Sequence, residues 1–188
     1  NTSVGIGSLK RNTTADGNVA IGYVALYENT TAGNNVAIGQ QAMKENTTGA
    51  NNVAVGALAL DANTTAGDNT AIGYAALGGN TTGHSNVAVG HSALLSNTTG
   101  TRNIAIGTDA YHGSDTENDN IAIGYQAMVT NTAGGTKNVA VGNYALDALT
   151  SGDNNVAVGH DALTANTTAS SNTAIGREAM KITTTGDS

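Results

Sequence analysis

One short string governs the chain: an asparagine, an apolar or threonine residue, alanine, a second apolar residue and glycine. It returns at Asn18, Asn35, Asn52, Asn69, Asn86, Asn103, Asn120, Asn138, Asn155 and Asn172. Every interval is 17 residues except the one from Asn120 to Asn138, which is 18. With that asparagine as position 1, position 3 is Ala from Ala20 to Ala174 and position 8 is Ala from Ala25 to Ala179. Position 5 is glycine, at Gly22, Gly39, Gly56, Gly73, Gly90, Gly107, Gly124, Gly142, Gly159 and Gly176. Position 9 is Leu or Met except at Tyr111, and positions 12 to 14 mostly read Asn-Thr-Thr. Ahead of Asn18, Ser3-Val4-Gly5-Ile6-Gly7 reads in the register of the motif, as a shortened coil.

A period this short narrows the choice of fold. Seventeen residues cannot hold a helix-turn-helix repeat, and the leucine-rich pattern is absent. The Val-Ala-Ile strings alternate and are β-branched, so they read as short strands, with Val and Ile on one face and Ala on the other. Glycine at position 5 supplies a positive-φ corner, and the Asn, Thr, Asp and Gly that follow supply turns. The fold expected is therefore all-β, a parallel β-roll or β-solenoid of about eleven 17-residue coils. Residues 1–188 form a single array, a rod of roughly 50 Å at strand spacing. The expected core is Val, Ile, Leu and Ala. Position 3 with Gly5-type corners should leave a smooth alanine strip where another rod can approach. Side-chain amides of the position 1 column should stack into a ladder. Repeats running to both termini without polar caps read as an excerpt of a longer fibre, or as a subunit whose ends neighbours cover.

Composition argues the same way where it bears on function. The chain lacks Pro, Cys, Trp and Phe and carries 25 Gly, a polar bias that disordered chains share, but its apolar residues are periodic. A net charge of −7, with seven Lys and Arg scattered along the chain, excludes a phosphate-neutralising stripe and so a nucleic-acid partner. It also disfavours anionic membranes, and no apolar run is long enough to insert within this segment.

Catalytic and metal chemistry find no pattern. His84, His91, His112 and His160 lack metal-ligand spacing, and His91-Ser92 and Ser114-Asp115 sit in variable loops without a nucleophile elbow. The reading is of a non-enzyme with no cofactor. Asp115-Thr116-Glu117-Asn118-Asp119-Asn120 is the best local candidate for a stray cation, with Asx turns as the plainer account. Asn-Thr-Thr also matches the glycosylation sequon at Asn12, Asn29, Asn46, Asn63, Asn80, Asn97 and Asn166. A repeating structural triplet produces that match automatically. Ligand contact, where it exists, falls to the variable positions 6, 7, 10 and 11, which hold Tyr23, Tyr27, Tyr74, His91, Tyr125, Tyr144 and His160.

The string Asn69-Thr70-Ala71-Ile72-Gly73-Tyr74-Ala75-Ala76-Leu77 resembles the YadA-like head repeats of trimeric autotransporter adhesins and, more closely, repeat arrays of phage and bacterial tail-fibre proteins. The likeness covers essentially the whole chain. It implies a left-handed coil, a homotrimer, and a place outside the cell, on a cell surface or a virion. The expected function is a structural and adhesive fibre segment that spaces or presents a receptor-binding surface, with a host receptor or glycan as partner. The alternative is a self-assembling extracellular filament whose subunits stack end to end. A third reading, an ice-binding solenoid, draws on the threonine columns, although adjacent threonines should face opposite sides, one of them inward.

Overall fold

Each Val-Ala-Ile string forms a three-residue strand because the string one period later lies beside it and completes its hydrogen bonds. The computed structural model describes residues 1–131, 134–182 and 184. Its strands run from β1 (Thr2–Val4) and β2 (Val19–Ile21), through one in each repeat, to β11 (Thr173–Ile175). All eleven pair in parallel, in chain order, in one sheet. Register is strict: Val19 opposes Val36, Ala20 opposes Ala37 and Ile21 opposes Ile38. The chain is a β-solenoid, with no helix among the described residues.

Two expectations are corrected. The first coil is whole, not shortened. Thr2 pairs with Val19, and Asn18 N–H donates to Asn1 Oδ1 at 2.9 Å, so Asn1 occupies position 1 and Gly5, not Gly7, is the corner. The strand faces are also reversed. Ala20, Ala37 and Ala54 are fully buried, whereas their Val and Ile neighbours are half-buried or exposed, Ile21 at 37% and Ile72 at 41%. The reason is width. The passes of the chain lie so close that the interior takes one large side chain per coil, the fully buried position 9 residue such as Leu26, Met43 or Leu60. Methyl groups at positions 3 and 8 fill the remainder. The smooth alanine strip therefore lies inside, and a β-branched strip lies outside.

Backbone strain is built into every turn. Position 7 and position 9 residues are left-handed although they carry side chains, as at Val24 (φ 49°), Leu26 (φ 53°), Gln41 (φ 59°) and Met43 (φ 51°). Such residues cost about 1–2 kcal/mol each in isolation. The conformation points successive N–H groups opposite ways along the axis. Val24 N–H reaches back to Ile6 O (2.9 Å), and Leu26 N–H reaches forward to Ala42 O (2.9 Å). The strain is thus offset by hydrogen bonds that exist only between coils. At position 5 the demand is stricter. Gly73 has φ +133°, and a Cβ there would lie 2.4 Å from the Gly90 carbonyl oxygen.

Two asparagine columns complete the interior. At position 1 the Oδ1 accepts the backbone N–H of the next asparagine, as from Asn35 to Asn18 (2.9 Å). Its Nδ2 donates to the position 15 carbonyl of its own coil, as Asn18 does to Ala32 (2.9 Å). The continuous amide-to-amide ladder stands at position 12 instead. Asn46 donates to Asn29 (3.0 Å), Asn63 to Asn46 (2.8 Å), Asn80 to Asn63 (3.0 Å) and Asn97 to Asn80 (2.9 Å). Position 12 asparagines also donate to the same position 15 carbonyl, Asn29 to Ala32 at 2.9 Å, so one carbonyl oxygen joins both columns. Position 1 pairs amide to amide in only some coils, as between Asn52 and Asn35 (3.2 Å).

The ladder stops where Ser114 replaces asparagine, and Asn97 Oδ1 is left buried without a donor. A different network fills the gap. Glu117, 3% exposed, accepts from the Ser114 hydroxyl (3.1 Å) and from the N–H groups of Asp115 (3.0 Å), Thr116 (3.1 Å) and Gly134 (2.9 Å). Tyr111 fills position 9, and its hydroxyl accepts from Asn120 and Asn131. Burial pushes that phenol well above its ordinary pKa. The 18-residue coil places its extra residue in this turn, since Asn131 reaches Gly135 four residues on, where other coils reach three. At the next coil Leu149, fully buried, takes position 12.

Two outcomes follow for thermal unfolding. Gly73→Ala should lower stability by about 3 kcal/mol or more, because a forced backbone of about 1–3 kcal/mol is joined by a clash with fixed backbone. Asn63→Leu should cost about 1–3 kcal/mol for the orphaned Asn46 acceptor, and Asn63→Ala should cost more, because a cavity is added. Equal costs for Leu and Ala would remove the ladder argument.

Candidate functional site

Because a residue lies directly over its counterpart 17 positions earlier, side chains far apart in sequence become neighbours on the rod's flank. Of the seven ligand-facing candidates, three sets result. Tyr74 and His91, both at position 6 of successive coils, stack with ring centroids 5.2 Å apart and planes at 19°. Tyr144 meets Tyr125 edge-on at 5.4 Å and His160 at 5.7 Å. Tyr23 and Tyr27 belong to neither row. They flank a cleft on the first coils lined by Ile6, Gly7, Ser8, Lys10, Tyr23, Val24, Tyr27 and Lys44, of about 640 Å³. The grouping of Lys10, Tyr27 and Lys44 went unread in the sequence. Its signal was the period itself, since all three hold position 10.

Charges on the flank are mostly paired. Arg102 forks onto Asp119 through Nε (2.6 Å) and a terminal nitrogen (2.9 Å), which holds the Asp119 carboxyl below its usual range. Arg11 pairs with Glu28 at 2.8 Å and Lys44 with Glu45 at 2.5 Å. Lys181 lies 3.1 Å from Asp161 and lowers that carboxyl's pKa. His160 Nδ1 lies 3.3 Å from the same carboxylate. Such exposed pairs contribute little to stability.

The stretch suggested for a cation is occupied by its own partners. Glu117 accepts four donors as described, Asp119 holds Arg102, and Asn118 Oδ1 accepts from the Thr101 N–H (2.7 Å) and hydroxyl (2.8 Å). Among the described residues no three His, Asp or Glu side chains lie close enough to hold a metal ion. His91 Nδ1 and the Ser92 hydroxyl are 3.0 Å apart, with the imidazole face committed to Tyr74.

The sequons change meaning in the fold. Asn29, Asn46, Asn63, Asn80, Asn97 and Asn166 are fully buried, with Nδ2 engaged inside the rod, and Asn12 is half-buried. A glycan on those six nitrogens would have to be attached before the coil closes. Threonines are likewise corrected. Neither faces the core, because the position 13 hydroxyl donates to the next coil's carbonyl, as Thr47 does to Thr64 (2.9 Å), while Thr31 and Thr48 at position 14 are exposed.

Compared with protein-family models, curated proteins and solved structures, the chain matches none of them.

One flank residue carries a testable electrostatic cost. Asp147 Oδ1 is buried without a donor, and burial raises the carboxyl's pKa. A raised folded-state pKa means that stability falls as pH rises through the ordinary carboxylate range towards it. Asp147→Asn should therefore raise the melting temperature at pH 7, and the gain should vanish in acid, where the native carboxyl is protonated. A gain that persists unchanged in acid would contradict this.

Proposed function

We propose that this chain is a structural rod that assembles with two copies of itself through its β-branched strip and presents its variable flanks as a receptor-contacting surface. The observation that carries the reading is the outward face of the sheet. Position 4 is Val or Ile in every coil, and position 2 departs from Val or Ile only at Thr2, Thr70 and Thr173. No charged residue interrupts the two columns. The result is an apolar strip about 50 Å long and about 7 Å across, at the size where exposed apolar patches on soluble monomers give way to interaction sites. A flat, straight strip with identical residues at each step is self-complementary along its length. Covering it with copies of itself removes β-branched surface from water at about 25 cal/mol per Å².

The remaining features suit a spacer that also touches a partner. Stability comes from neighbour-to-neighbour stacking, so length is free to vary without redesigning a core. Position 6 varies among Tyr, His, Thr, Gln and Arg over a constant backbone, which lets one scaffold carry different contacts. The chemistry is that of a fibre segment working outside the cell, on a cell surface or a virion, and not that of an enzyme.

Multi-angle light scattering tests the assembly. Wild type should have three times the chain mass of 18.6 kDa. The double variant Val89→Lys and Ile106→Lys, at the middle of the strip, should fall to one chain mass with unchanged β-type circular dichroism. A monomeric wild type, or a variant that stays trimeric, would refute it, and continuous fibres in electron micrographs would point to end-to-end stacking instead.

A further inference from the structure

The cleft on the first three coils has a specific origin. At position 7 most coils carry a side chain of some size, such as Val24, Gln41, Leu58 or Tyr144, while the first coil carries Gly7. A Cβ on Gly7 would lie 3.0 Å from Val24 Cγ1 and 3.5 Å from Tyr27 Cδ2. The missing side chain therefore opens the floor, between a wall bearing Ile6 and Tyr23 and a wall bearing Lys10, Tyr27 and Lys44. Its volume of about 640 Å³ lies inside the roughly 300–1,000 Å³ of small-molecule sites.

Charge and aromatic content narrow the ligand. In a chain of net charge −7 with seven Lys and Arg, Lys10, Arg11 and Lys44 gather here. Glu28 neutralises Arg11 and Glu45 neutralises Lys44, which leaves Lys10 as the cation at the rim without a carboxylate partner among the described residues. Its ammonium sits 5.7 Å from the Tyr27 ring centroid, and Arg11 lies 5.6 Å from the same ring, so cations flank the ring that forms one wall. Tyr23 is 53% exposed. Two amphipathic rings on opposite walls offer apolar faces together with hydroxyl groups. A phosphate would call for an open arginine fork or a nest of backbone N–H groups, but the arginine here is occupied by Glu28. A single ammonium suits a single carboxylate.

We propose that this cleft binds a carboxylated saccharide, with the C–H face of the ring on Tyr23 and Tyr27 and the carboxylate on Lys10. The inference gives a ligand class to the flank that the preceding reading treats as a presenting surface, and it rests on that reading. The cleft uses positions 6, 7, 8 and 10, clear of the strip at positions 2 and 4, so ligand and assembly do not compete for surface.

Isothermal titration of the full chain tests it with three probes: methyl glucuronoside, its neutral counterpart methyl glucoside, and acetate. The glucuronoside should bind saturably, with the glucoside and acetate each at least about tenfold weaker, a difference of about 1.4 kcal/mol. Lys10→Gln and Tyr27→Ala should each reduce glucuronoside affinity about tenfold or more. Gly7→Gln, which fills the floor without changing charge, should abolish binding, with circular dichroism confirming that each variant keeps its fold. Acetate binding as tightly as the glucuronoside would reduce the cleft to a plain anion site and overturn the proposal. So would equal binding of the glucoside, wild-type affinity in the variants, or no binding of any probe. Mass measured on the same samples keeps the two readings apart: a trimer that ignores the sugars fails here alone, and a monomer that binds them fails only the assembly.

Discussion

Every level of this structure depends on the contact between a residue and its counterpart one coil away. Backbone N–H groups at positions 2, 5, 7, 9, 11 and 13 find carbonyls in adjacent coils, as Val19 finds Asn35 (2.8 Å), Gly22 finds Val4 (2.8 Å) and Glu28 finds Lys44 (3.0 Å). A single coil therefore has almost no internal means of satisfying its own backbone. Left-handed residues at positions 7 and 9 are tolerable only because the neighbouring coil receives the N–H groups they redirect. Asparagine is the side chain that extends this arrangement inwards. It alone carries a compact acceptor and donor that can address the coil on one side and its own turn on the other. Where Ser114 and Leu149 replace it, the fold falls back on a buried carboxylate network in one case and plain apolar filling in the other.

Much of this was legible in the sequence, and what was not has identifiable causes. The period, the strands and the glycine corner follow from spacing and residue type, because a 17-residue unit with one Val-Ala-Ile string admits few alternatives. Which strand face turns inward does not. Alternation assigns Val and Ile to one side and Ala to the other, and the usual preference for burying the larger residues fails when the coil is too narrow to hold them. Ala20 is buried and Ile21 is at the surface for that reason. The column carrying the continuous amide ladder was equally hidden, since positions 1 and 12 both read as asparagine in turn-like surroundings. The Asn-Thr-Thr triplets read as surface sequons until the fold placed Asn46 and Asn63 inside. Lys10, Tyr27 and Lys44 were missed because they were considered by residue type and not by shared position.

These points connect the interior to the outside of the rod. A methyl-lined interior displaces the β-branched residues outward, so the economy of the core is what creates the apolar strip on which assembly is proposed. The flank is free to vary because its side chains contribute little to the axial contacts, which run through backbone and asparagine. The aromatic rows Tyr74–His91 and Tyr125–Tyr144–His160 and the Gly7 cleft are local inventions on a constant frame.

Hydrogen–deuterium exchange along the intact chain tests the dependence of each coil on its neighbours most directly. Protection should recur every 17 residues at the N–H groups of positions 2, 5, 7, 9, 11 and 13 across the central coils, and fall off together towards the two terminal coils. Protection confined to one stretch, or lacking the 17-residue recurrence, would contradict a fold held by stacked, like-on-like contacts.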